Sequence, residues 1–242
     1  IDFFLRMAWD PERFHGENLQ QFTREWAAQQ FGEQFAPQIE RILSGYTRHN
    51  GRRKPESMDA ETYSQLHYRE ADRISAELFS LVSAAENLSR KMPAESQEAF
   101  FQLVLHPIKA SSNVFELYHN VAKNRLYAQQ GRASANSYAE TAKQFFAADA
   151  ALTQEYHQRN RGRWNHMMAQ THIGYTHWNN PPANTMPLVY LNEPAKVADM
   201  GVAVEGMADA WPQFSKLASS AFHRYGLQKR YIDLFNKGTQ SF

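Results

Sequence analysis

The feature that most constrains the fold is a long helical periodicity in the middle of the chain. From residue 71 onward, apolar residues recur at alternating steps of three and four: Ala71, Ile74, Leu78, Leu81, Ala85, Leu88 and Met92. This spacing places one apolar stripe along an α-helix. A chain built from such segments must bury several amphipathic helices against one another.

Similar patterns lie on both sides of this segment. A second long helix follows, with Phe115 on a wide apolar face that predicts a central position, whereas Lys123 is expected to be exposed. Pro107 should kink this helix, because proline removes a backbone donor. Ser134 suits the N-cap of a third helix, and two shorter helices precede residue 55, the first ended by Gly32. About five helices with short links predict a mainly α fold, an antiparallel helical bundle.

The pattern changes after about residue 178. The stretch NNPPANTMP reads as a connector, and MGVAVEG (200–206) and RYIDLFN (230–236) predict two β-strands. Two strands without a sheet are not independently stable. They therefore belong to a following β-domain, or they pair with each other along the bundle.

Composition excludes several function classes. Lys plus Arg is 26 and Asp plus Glu is 25, so the net charge of +1 gives no field that would attract nucleic acid or an acidic membrane. There is no cysteine and no apolar run long enough to span a bilayer. The first residues, IDFFLRMAWDP, have no signal-peptide layout, and we expect both ends to be cuts in a longer protein.

The stretch RWNHMMAQTHIGYTHW (163–178) holds three of the ten histidines and two of the five tryptophans. Its histidines are six and five residues apart, unlike the helical spacing of a zinc site, so we predict no metal. The preferred interpretation is an irregular segment whose His and Asn side chains satisfy its backbone. The alternative is a carbohydrate-facing wall, with Trp164, His166, His172 and Trp178 as candidate substrate-binding residues.

Other polar residues give no catalytic site. Glu116 and His119 form a single Glu-x-x-His match, whereas a di-metal bundle needs two. The preferred interpretation is that both are partly exposed and flank a core tyrosine. Asp149 interrupts an apolar stripe; a buried Asp149 would need a partner, but we expect the stripe to roll to Ala148 and leave Asp149 at the edge. The basic cluster 52–54 is expected to be a solvated loop, with an anion or interdomain contact as the alternative.

Taken together, the long motifs resemble those of the glycoside hydrolase family 115 α-glucuronidases. The resemblance runs through DFFLRMAWDP, REWAAQQFG, YTRHNGRRKPE, YREADR, FFQLVLHPIKAS, ELYHNVAKNRLYAQQGRAS, RWNHMMAQTHIGYTHWNNPP, GVAVEG and RYIDLFNKG. The chain departs from similar sequences at Ala169, where they carry an acidic residue, and at 161–163, where they tend to carry Gly-Lys. Both departures bear on polar contacts of the histidine-rich stretch.

The resemblance implies an enzyme that removes glucuronic acid or its 4-O-methyl form from xylan by inverting hydrolysis with two carboxyl groups. It implies that these groups lie on a preceding TIM barrel, so this chain has no catalytic residue and is inactive alone. Residues 1–16 would then be the barrel exit, 17–178 the bundle, and 179–242 a connector with the first strands of a β-sandwich.

The bundle would brace the barrel, and it could shape the substrate cleft or a dimer contact. The implied partners are glucuronoxylan or its oligosaccharides, the adjacent barrel and β-sandwich domains, and a second copy in a homodimer. No cofactor, nucleic acid or membrane partner is expected, and the location would be secreted or periplasmic. A rival hypothesis from another class is a free-standing helical interaction module without enzymatic activity.

Overall fold

A computed structural model describes residues 1–176, 181–226 and 228–241, and it confirms a mainly helical chain, 54% helical, with a small antiparallel sheet near the C-terminal end. The helices are α1 (Asp2–Trp9), α2 (Leu19–Phe31), α3 (Ala36–Arg52), α4 (Glu70–Ser89), α5 (Ala94–Phe100), α6 (His106–Gln129) and α7 (Ala135–Gly162). The strands are β1 (Met200–Val204), β2 (Ala210–Trp211) and β3 (Ile232–Asn236). Within these ranges, no helix is long and apolar enough to cross a bilayer.

The helix ends follow local signals in the sequence. Gly32, with φ of 96°, ends α2, and Ser134 occupies the N-cap position of α7, as predicted. The helix α3 is longer than expected, because it continues through Gly51 to Arg52. Arg52 therefore lies on the last turn of a helix rather than in a loop, and its guanidinium lies 3.1 Å from the Glu77 carboxylate on α4.

Pro107 distorts the central helix in a specific way. Residues Phe101–Leu105 form a π-helical turn that joins α5 directly to α6. Because Pro107 has no N–H, the carbonyl of Leu103 loses its usual i+4 donor, and the proline ring crowds that carbonyl. A wider turn relieves both problems. The predicted kink thus takes the form of a π turn just before the proline.

The helix α6 is the centre of the bundle and packs against α3, α4 and α7. Phe115 is 1% exposed, which confirms its predicted position in the core. The expectation for Lys123 was wrong. Its side chain is only 17% exposed, and its Nζ lies 2.6 Å from Asp72 Oδ1 on α4. The ion pair offsets the cost of removing the Lys123 ammonium group from water.

The three strands form one antiparallel sheet in the order β2-β1-β3. The two predicted strands pair with each other, from Met200 opposite Asn236 to Val204 opposite Ile232. The sheet contacts the bundle through backbone bonds such as that from the Ala133 N–H to the Asn236 carbonyl, 2.9 Å. The third strand, β2, has two residues and was not predicted.

Candidate functional site

The histidine-rich segment begins where α7 breaks. Arg159 has an extended ψ of 154°, and Asn160 and Arg161 have positive φ values of 48° and 58°. Few non-glycine residues adopt this left-handed conformation, and Asn is among those that tolerate it best. The chain turns sharply here and continues as irregular turns through residue 176, which confirms the expected irregular segment for its described part.

The principal contact of this segment joins His172 to Asp149 of α7. The imidazole Nε2 lies 2.8 Å from Asp149 Oδ1, and Asp149 is 4% exposed. The preferred prediction for Asp149, an edge position, was therefore wrong. A carboxylate inside a bundle needs a partner, because an unpaired buried charge is strongly destabilising, and His172 is that partner.

Both nitrogens of His172 face acceptors. Nε2 meets the Asp149 carboxylate, and Nδ1 lies 3.0 Å from the Gln170 carbonyl oxygen. Because neither a carboxylate nor a carbonyl can donate, both hydrogen bonds form together only when both nitrogens carry a proton, so this geometry favours the imidazolium. The hydrogen bond to Asp149 raises the pKa of His172 against the opposing effect of burial. In the imidazolium form the ring has no free nitrogen with which to act as a general base, so the pair suits an anchoring role.

The backbone around His172 is held by other side chains. The Asn184 side-chain oxygen accepts hydrogen bonds from the N–H groups of His172, 2.8 Å, and Ile173, 3.0 Å. Ile173 is fully buried in the bundle core. The Gly174 N–H donates to the Tyr118 hydroxyl at 3.3 Å. Irregular backbone in a core must find such partners, and this favours the packing interpretation of the segment.

The remaining candidate residues do not converge on His172. His166 is exposed, with φ of 68°, and its ring lies 6.1 Å from that of His157. Trp164 is partly buried, and Trp178 lies outside the described residues. Within the described ranges, no hydrogen bond, ion pair or ring contact joins Trp164, His166 and His172 to one another. Their substrate-binding role stays a prediction.

The two side chains of the Glu-x-x-His match on α6 contact different residues of α4. Glu116 is partly exposed, as predicted, and accepts a hydrogen bond from the Ser75 hydroxyl. The predicted partial exposure of His119 was wrong, because His119 is buried, with Nε2 3.4 Å from Asp72 on α4. These contacts join α6 to α4. Among the residues the structure describes, no group of three or more His, Cys, Asp or Glu side chains is arranged to hold a metal ion.

Comparisons with known proteins agree with the motifs. Residues 1–57 match the sequence model of Glycosyl hydrolase family 115, a region that includes α1, α2 and α3. No curated protein matches the sequence.

A solved structure shares the fold. It is that of a family GH115 4-O-methyl-α-glucuronidase, BtGH115A, described as having specificity for decorated arabinogalactans. The two are 22% identical with a TM-score of 0.56, and the match covers 81% of this chain but only 28% of that enzyme. This likeness shows the fold, and the match over residues 1–57 adds the sequence signature. The chain is thus similar in sequence to glycosyl hydrolase family 115 over residues 1–57, and it shares its fold with a solved member of that family.

Proposed function

We propose that this chain is the non-catalytic helical region of a glycoside hydrolase that removes (4-O-methyl)glucuronic acid side chains from xylan by inverting hydrolysis. The observation that carries the proposal is the family match over residues 1–57. Inverting hydrolysis needs two carboxyl groups roughly 6.5–9.5 Å apart across the scissile bond. The buried carboxylate of Asp149 is engaged by His172 at 2.8 Å, which suits support rather than catalysis.

Exposed apolar surface at both ends of the chain supports the proposed domain division. In the proposed barrel exit, 1–16, the helix α1 exposes 64% of Phe4 and 91% of Trp9. In the proposed sandwich strands, Ile232 and Leu234 lie on the same outer face of β3 and are 65% and 67% exposed. Apolar patches of this kind mark surfaces that other protein covers. A preceding barrel would cover the apolar face of α1, and a second sheet would cover that of β3. The bundle, 17–178, would lie between these two domains and brace the barrel.

A second candidate substrate comes from the structural neighbour. BtGH115A is described as specific for decorated arabinogalactans, so uronic acid side chains on that polysaccharide are a rival to xylan. The two substrates share the sugar acid that is removed and differ in the main chain. A secreted or periplasmic location would suit either polysaccharide.

The test uses the intact protein and this chain side by side. Each is incubated with glucuronoxylan and with a uronate-decorated arabinogalactan, and free uronic acid is measured, with the anomer followed by proton NMR. We expect the intact protein to release inverted uronic acid from xylan and this chain to release none. Release by the isolated chain would contradict the non-catalytic role. No release by the intact protein from either substrate would favour the free-standing helical module.

A further inference from the structure

A polar cavity of about 180 Å³ lies where α4 and α6 meet the sheet. Tyr127 of α6 and Tyr231 beside β3 contribute aromatic rings, and charged side chains fill much of the remaining wall. The cavity holds more than one water and is smaller than the roughly 300–1,000 Å³ of pockets for drug-sized ligands. Its size suits a ligand of about one sugar ring.

The charges of this cavity do not balance. Three cations line it, Arg69, Lys123 and Arg132, against two carboxylates, Asp72 and Asp233. Asp72 is paired with Lys123 at 2.6 Å, and Asp233 with Arg132 at 3.3 Å. Arg69 has no carboxylate partner within the described residues. One guanidinium therefore remains for an anionic group of a ligand.

The backbone is constrained to place Arg69 in this position. Tyr68 and Arg69 both have positive φ, 57° and 48°, which is uncommon for residues other than glycine. Glu205, 4% exposed, fixes them: Oε1 accepts from the Tyr68 N–H at 2.7 Å and Oε2 from the Tyr231 N–H at 3.2 Å. The Arg69 guanidinium then lies 4.7 Å from the centre of the Tyr231 ring. The ring orients the cation and leaves its N–H donors free for a carboxylate.

We propose that this cavity is a non-catalytic binding site for a single uronic acid residue. Its carboxylate would pair with Arg69, its ring would pack against the tyrosines, and its hydroxyls would donate to Asp72 and Asp233. The cavity itself points to a hydroxyl-rich monocarboxylate. The choice of glucuronate among such ligands rests on the proposed function.

The test is a titration of this chain with sodium glucuronate, followed by two-dimensional amide NMR. We expect saturable shifts at residues 65–69, 127–132 and 231–233, and much smaller shifts with glucose, which lacks the carboxylate. Arg69→Gln should weaken binding about ten-fold or more, since a charge-assisted bond is lost. Arg73→Gln is the matched control, because Arg73 is exposed on the first turn of α4, which follows Arg69, and lines a different groove.

A second variant covers the case in which Arg69→Gln does not fold. Tyr127 lines the cavity, and its hydroxyl makes no hydrogen bond in the described part of the chain, so Tyr127→Phe should fold normally. In the proposed site the Tyr127 hydroxyl would also hydrogen-bond the ligand, so its removal should weaken glucuronate binding several-fold. Shifts outside the cavity only, equal shifts with acetate, or unchanged affinity in a folded variant would overturn the site. Failure of this binding site would not count against the proposed function, because that function is tested separately by uronic acid release from the intact protein.

Discussion

Replacing Asp149 by Asn tests the anchor of the histidine-rich segment. The substitution keeps the shape of the side chain and removes the charge that faces His172 at 2.8 Å. Hydrogen bonds to charged groups contribute about 1.5–3 kcal/mol, and neutral ones about 0.5–1.5 kcal/mol. Because the His172 side chain is 30% exposed, solvent screens the pair. We expect the variant to lose about 1.5–2 kcal/mol of unfolding free energy at pH 6, near the lower limit for a charged bond.

The loss should depend on pH in one direction. The pKa of His172 is raised above its ordinary value of 6.5, mainly by the hydrogen bond to Asp149. The stabilisation is therefore fully present below pH 6.5 and disappears as the pH rises through the raised pKa. Burial lowers the pKa of His106, which moves the titration of that ring away from the range in which His172 loses its charge.

The measurement is urea unfolding of both proteins at intervals from pH 6 to pH 9. The difference in unfolding free energy should shrink by about 1 kcal/mol as the ring loses its charge. Glu140→Gln, an exposed carboxylate on the same helix, is the matched control and should cost under about 0.5 kcal/mol at every pH. A difference between wild type and Asp149→Asn that stays constant, or grows with pH, would refute the imidazolium assignment.

Three further substitutions test packing. Phe115→Ala should lower the free energy of unfolding in urea by about 3–5 kcal/mol, whereas the exposed control Lys143→Ala should lower it by under about 0.5 kcal/mol. Equal urea midpoints for the two variants would show that α6 is not central. Gly45→Ala would place a Cβ 2.7 Å from Leu81 Cδ1, and overpacking of about 1–3 kcal/mol exceeds the roughly 1 kcal/mol that alanine gains over glycine inside a helix. We therefore expect a small drop in melting temperature, and a rise would show that the partly exposed Leu81 side chain moves aside. His166→Ala should cost under about 0.5 kcal/mol, since His166 is exposed, and a large drop in melting temperature would assign it an anchoring role.

The helices could be predicted where local chemistry determines them. Gly32 and Ser134 occupy the end positions of α2 and α7 that their residue types favour, although the Ser134 side chain makes no capping hydrogen bond. The sequence near these ends therefore suffices to place them. The helix α1 was missed because its 8 residues make only about two turns, too few to show a repeated helical period. The strand β2 was missed because two residues are too few to display an alternating pattern.

The polar contacts of the site could not be predicted in the same way. Neighbouring positions on a helix differ by 100°, so a period alone cannot decide whether Ala148 or Asp149 faces the core. The decision depends on His172, which lies 23 residues further along the chain. Lys123 is a similar case, because its burial depends on Asp72 of another helix. Both errors concern partners that are distant in sequence.

Two buried carboxylates attach irregular parts of the chain to the bundle, and this bears on the proposed bracing role. Asp149 holds the segment after α7 through His172, and Glu205 binds the backbone of Tyr68 and Tyr231. Such buried groups add little net stability, but leaving a buried donor or acceptor without its partner costs about 1–3 kcal/mol. Moving either segment away from its carboxylate would therefore lower the stability of the chain by that amount. A region whose loops are fixed in this way can hold a neighbouring domain in one orientation, as a brace for a catalytic barrel requires.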